Sequence, residues 1–145
     1  MKSPEFTIRK PVASDVEFII KTWAREMRRA YTRKFPDRLF YNEFQKIILS
    51  LTSKAQARVI CLSDDANYIV GFVVGEHFAA AKTLVVHFAY IRPPMRRLGL
   101  GAEACASLGY QPGDEIVATF WHPYLDRFER KDLIHNPFVL MGIKQ

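Results

Sequence analysis

The residues best suited to chemistry in this 145-residue chain lie in one stretch, Ile91-Arg-Pro-Pro-Met-Arg-Arg-Leu-Gly-Leu-Gly-Ala102. A β-rich apolar run, Thr83 to Ile91, leads into it, and a small-residue helical segment, Gly101 to Ser107, leads out. Strand, glycine turn and helix start together make an anion site. The first amides of a helix lack internal partners and sit at the positive end of the macrodipole. Gly99 and Gly101 remove Cβ atoms that would keep a phosphate away from those amides, and Arg92, Arg96 and Arg97 add full charges at the same end. The stretch reads as a pyrophosphate cradle. A P-loop is excluded, because no Lys and hydroxyl follow Gly101. A dinucleotide fingerprint is met in its looser form by Gly99, Gly101 and Ala104. Against it, the helix is short, and the next strand, ending Thr119-Phe-Trp121, is closed by no acid.

A second group of residues could move protons. His87 lies in the run before the turn, and a strand period of two puts it on one face with Ala89 and Ile91. An imidazole near neutral pKa is suited to accept a proton, directly or through a water. Glu76 and His77, on the preceding run, are the other candidate bases. Cys61 and Cys105 sit far apart in apolar elements, with neither metal nor disulfide spacing between them. Between Arg25 and Tyr41, six basic residues (Arg25, Arg28, Arg29, Arg33, Lys34 and Arg38) alternate with Tyr31, Phe35, Phe40 and Tyr41. Such a segment can hold an acidic peptide or a nucleotide, or simply be a solvated helix end.

The elements that must position these residues are readable in outline. Phe6 to Val12 alternates as a strand, with Pro11 marking an edge or an end. Ser14, Asp15 and Glu17 signal a helix start, and Val16, Phe18, Ile19, Ile20, Trp23 and Met27 carry helical spacing to about Ala30. Phe40 to Ser53 repeats that spacing. Arg58–Ser63 and Tyr68–Phe78 form a hairpin about a turn at Asp64–Asn67, with bulges expected at Gly71 and Gly75. The helix after the glycine turn ends near Leu108, Glu115–Trp121 is a strand, Tyr124–Lys131 is helical, and Leu133–Ile143 is a last strand.

Length and a 49% hydrophobic content predict one domain over residues 1–145. No run approaches the roughly 20 apolar residues that span a bilayer, and no hydrophobic signal core opens the chain, so a cytoplasmic location without membrane contact is the expectation. The formal charge of +6 indicates an anionic partner without naming it.

The spacing Ile91-x-Pro93-x-x-Arg96-x-x-Gly99-x-Gly101, closing a strand and opening a helix, resembles the acetyl-CoA motif of the GNAT superfamily of N-acetyltransferases. That resemblance implies an α+β fold of mixed α/β order: a central, mostly antiparallel sheet with a splayed parallel strand pair and helices on both faces. It implies acetyl-CoA as cosubstrate and an amine of an unidentified acceptor, protein or small molecule, as partner. The amides near Ala89, Tyr90 and Ile91 would face the thioester and pantetheine, and those of Arg96, Arg97, Leu98, Gly99, Leu100, Gly101 and Ala102 the pyrophosphate. His87, with Glu76 as alternative, would take the amine's proton; the family often places its base where this chain has Val85. Many members give the thiolate a proton from a helix Tyr, a position near Phe128 here, so Tyr124, on the same helix face, is the substitute. No metal is implied. The competing readings are a coenzyme-A-binding GNAT-fold regulator without catalysis and, less favoured, a basic nucleic-acid binder.

Overall fold

The computed structural model of the chain describes residues 4–30, 38, 42, 46, 56–96, 98–118 and 133–135. Its elements are β1 (Phe6–Arg9), α1 (Ala13–Ala30), β2 (Gln56–Leu62), β3 (Asp65–Phe78), β4 (Thr83–Ile91), a 3-10 turn (Pro93–Met95), α2 (Leu100–Ser107), β5 (Glu115–Ala118) and β6 (Leu133–His135). Of the helix expected at 40–53 only residues 42 and 46 are described, both helical, and the helix expected at 124–131 lies outside the described residues, as do the strand ends 119–121 and 136–143.

All six strands lie side by side in chain order in one sheet. β1 to β4 are antiparallel neighbours, while β4–β5 and β5–β6 run parallel. Parallel neighbours cannot be joined by a tight turn, and α2 is the element that carries the chain over from β4 to β5. The parallel strand pair that the resemblance implies is β4–β5, and β6 joins it as a further parallel neighbour.

Each face of the sheet is covered by the helix whose apolar spacing matches it. Ile19, Trp23 and Ala24 of α1 pack with Val59, Ile69, Phe72, Val74, Phe88 and Tyr90, and Trp23 stacks on Phe88 at 5.3 Å. Val16, counted in the apolar stripe, is exposed. On the other face Leu100 and Ala104 of α2, with Leu108 at i+8, pack on Ile60, Val70, Val73 and Leu84. No helix among the described residues is long and apolar enough to cross a membrane.

α1 starts one residue before Ser14, and Asp15 anchors it. The Asp15 carboxylate accepts from the Val12 amide at 2.7 Å, the side-chain-to-backbone half of a capping box, while the backbone turn is closed by Val12 O accepting from the Asp15 amide at 2.9 Å. Arg9 donates to the same carboxylate through two nitrogens, at 2.6 and 3.1 Å, and to Ala66 O, tying β1, α1 and the start of β3 together. This guanidinium, with the Val12 amide, holds the Asp15 carboxyl below the usual carboxylate range. Asp15→Ala removes a cap and a charge-assisted pair at once. It is expected to cost about 2–4 kcal/mol, measured by urea unfolding, and Asp15→Asn should recover only part of it.

Both glycines expected at bulges stand at breaks in register. Pairing steps from Ile60↔Gly71 to Cys61↔Ile69, leaving Val70 extra on β3, and from Val74↔Phe88 to Gly75↔Val86, leaving His87 extra on β4. The turn expected at Asp64–Asn67 is tighter, because Leu62 pairs with Asp65 and the turn proper is Ser63–Asp64. The polar residues after it form instead a further irregularity, in which the Asp65 side chain accepts from the Asn67 amide.

Candidate active site

β4 delivers the chain to the glycine turn. Arg92 opens the 3-10 turn, whose end is closed by the Arg96 amide donating to Pro93 O at 3.2 Å. Arg96 also donates through Nε to Ile91 O at 2.8 Å, so its stem folds back along the turn. Gly99 then caps α2 in the left-handed conformation, φ 78° and ψ 10°, which a side chain rarely adopts. A Cβ placed on Gly99 or on Gly101 would meet nothing within 4 Å. These glycines therefore face open space, as an anion cradle requires. The amides of Leu100, Gly101 and Ala102 belong to the first turn and find no backbone acceptor among the described residues. Leu98, beside them, is half exposed. Arg97 lies outside the described residues.

Arg92 departs from the sequence expectation. Its guanidinium lies on the α1 face, 5.7 Å from the Phe18 ring centre and 5.1 Å from that of Tyr68, and Nε donates to Ile69 O. Strand alternation explains this, since Ile91 packs toward α2 and the next side chain must point the other way.

The bulge also corrects the face assigned to His87. Leu84 and Val86 pack toward α2, and so do Ala89 and Ile91, an odd step that only an extra residue allows. His87 does not join Ala89 and Ile91. Its Nε2 lies 3.6 Å from Glu76 Oε2, and Glu76 is two residues beyond Val74, which packs on α1. The pair therefore sits on the α1 face, next to the Trp23–Phe88 stack. Glu76 is the cross-strand partner of Val85, so a carboxylate from β3 stands beside that β4 position.

His87 is 3% exposed, and burial pushes its pKa down to about 4. The 3.6 Å separation from Glu76 is too long for a hydrogen bond, which is why desolvation prevails over the carboxylate's attraction. The neutral ring is thus the native form. The unfolded chain binds a proton near pH 6.5 that the folded chain refuses until about pH 4. His87 therefore leaves stability whole above pH 6.5 and erodes it as pH falls toward 4, by at most about 3 kcal/mol. Denaturant midpoints between pH 4 and 7 should show this slope, and His87→Gln should flatten it.

His77, the other candidate base, is elsewhere. Its Nε2 lies 2.9 Å from Asp114 Oδ2, which also accepts from the Gln111 amide at 3.0 Å. The Gln111 amide first, and His77 second, hold the Asp114 carboxyl below its usual range. Gly109 packs directly on this imidazole, where a Cβ would fall 2.7 Å from Nδ1. His77 thus braces the α2–β5 connection, a partnership between residues too far apart in the chain for the sequence to suggest. Tyr124 and Phe128, like most of the basic and aromatic segment from Tyr31 to Tyr41, lie outside the described residues.

Sheet order, the helix on each face and the glycine turn between β4 and α2 together match a GNAT-like α+β fold. Among solved structures, the chain is similar to a protein from Pyrococcus furiosus assigned as an acetyl transferase. That likeness has TM-score 0.61 and 15% identity, over 87% of this chain and 93% of that one. An aminoglycoside N-acetyltransferase, AAC(6')-Iy, solved with coenzyme A, matches over 99% of this chain and 91% of its own, at TM-score 0.48 and 10% identity. No family model matches the sequence, and no curated protein matches it.

Proposed function

We propose that the chain is an acetyl-CoA-dependent N-acetyltransferase, in which an amine attacks the thioester directly in a ternary complex. The observation that carries the reading is the open turn at the start of α2, where Gly99 and Gly101 leave room for an anion against the amides of Leu100, Gly101 and Ala102. The pyrophosphate of the cosubstrate would lie there, with Arg96 and, by its place in the motif, Arg97 supplying charge. The amides of Ala89, Tyr90 and Ile91 would line the pantetheine arm and offer a hydrogen bond to the carbonyl oxygen as charge develops on it. Acetyl-CoA supplies the activated acyl group.

The remaining work is proton transfer. A neutral His87 is a hydrogen-bond acceptor throughout the physiological range, and Glu76, a quarter exposed, links it toward solvent. In this reading the amine's proton passes to that pair, directly or through a water. Tyr124 is assigned to protonate the departing thiolate.

A second reading, a coenzyme-A-binding protein without transfer, draws support from the low basicity of His87, since a base near pKa 4 accepts an amine proton weakly. Release of free thiol from acetyl-CoA in the presence of mixed primary amines separates the two. Transfer predicts amine-dependent thiol release that falls about a hundredfold in Glu76→Gln or His87→Gln, with an acidic limb below pH 5 in the wild type. Binding without thiol release, unchanged in both variants, would establish the second reading.

A further inference from the structure

We propose that Arg92 is a positioning residue for the phosphate turn, acting from the opposite face of the sheet without touching the anion. This rests on the acetyl-CoA reading above. Arg92 is the last residue before the 3-10 turn, so its backbone fixes where the turn begins, and its amide donates to Val70 O at 2.8 Å. Its side chain reaches three points that belong to other elements: Phe18 on α1, Tyr68 on β3, and the carbonyl of Ile69. A planar guanidinium can face two rings and still donate in its own plane to a carbonyl; an ammonium cannot hold all three at once. On the other side of the turn, Arg96 Nε donates to Ile91 O. The entry of the turn is thus clamped between β3, α1 and the end of β4, while Gly99 and Gly101 face open space on the side of α2. An arginine read from the sequence as one of three phosphate charges instead holds the frame on which the amides are mounted.

Charge and geometry make different demands on substitutions here. Were Arg92 a direct phosphate ligand, Arg92→Lys would keep most of the affinity for acetyl-CoA, and Arg92→Gln would reduce the dependence of that affinity on salt. As a positioning residue, Arg92→Lys and Arg92→Gln should weaken acetyl-CoA binding alike, by about ten- to a hundredfold, with the salt dependence unchanged. Tyr68→Leu is the independent arm, because Tyr68 is 40% exposed and lies on the α1 face. It should weaken binding in the same direction, and combining it with Arg92→Lys should add little further loss.

The experiment is calorimetric titration of acetyl-CoA into wild type, Arg92→Lys, Arg92→Gln, Tyr68→Leu and the Arg92→Lys/Tyr68→Leu double variant, at two salt concentrations. Thermal unfolding of each protein without ligand reports its folded fraction. Equal losses in the two Arg92 variants, an unchanged salt slope and non-additivity with Tyr68→Leu are expected. Retention of affinity in Arg92→Lys, or a wild-type affinity in Tyr68→Leu, would overturn the positioning role. Failure of the wild type itself to bind would instead overturn the acetyl-CoA reading, and the positioning role with it.

Discussion

Gly75→Val is expected to lower stability by about 4 kcal/mol, a fall of roughly 10–15 °C in Tm for a domain of this size. A Cβ at this position would lie 2.5 Å from Val85 O, a backbone atom that cannot swing aside. The neighbours are no more forgiving, since Gly75 is buried, Val74 on one side is fully buried, and Val85 across the strand is 4% exposed. β4 would have to move away from β3 at the place where it carries the extra residue His87. Amide exchange should report the same event locally, with protection lost first from Val85 to Phe88. A loss below about 1 kcal/mol would mean that the two strands do not approach in this way.

Gly101 should behave in the opposite sense. Nothing lies within 4 Å of its missing Cβ, and it occupies the first turn of α2, so Gly101→Ala should raise stability by about 0.5–1 kcal/mol. Gly101→Glu should fold equally well, since an acid in the first turn suits the macrodipole, yet it sets a carboxylate where the pyrophosphate is proposed to lie. Affinity for acetyl-CoA should fall at least about a hundredfold, the consequence of a like charge held in contact with the anion. The combination of unimpaired stability and abolished binding distinguishes a ligand site from a structural turn. A Gly101→Glu protein that binds acetyl-CoA as the wild type does would place the anion elsewhere.

The features legible in the sequence are those set by neighbours in the chain. The glycine turn, the short helix after it and the alternating strands before it all follow from local spacing, and each is found at or within a few residues of its expected position. The bulges were visible for the same reason, since an interior glycine in a strand marks a close approach or a break in register. What bulges do to the residues around them was not visible. The face of His87 depends on the step from Val74↔Phe88 to Gly75↔Val86, which involves a second strand. Arg92 looked like a phosphate charge because its type and place fit the motif, whereas its destination was decided by two rings, one of them far earlier in the chain. His77 and Asp114, and Arg9 with Ala66, are likewise products of strand order rather than of spacing.

Glycine-rich turns beside arginines attract many phosphates, so the central claim concerns selectivity. The most direct measurement is thermal unfolding with acetyl-CoA, with ATP and NADP as phosphate controls. At about a hundred times its dissociation constant, a ligand specific for the folded chain adds roughly 2.7 kcal/mol, a rise of several degrees. The proposed site predicts that rise with acetyl-CoA and its absence with ATP and NADP. A rise with NADP alone would restore the dinucleotide reading of Gly99, Gly101 and Ala104. Equal rises with all three would make the turn a general basic patch, and no rise with acetyl-CoA would contradict the account.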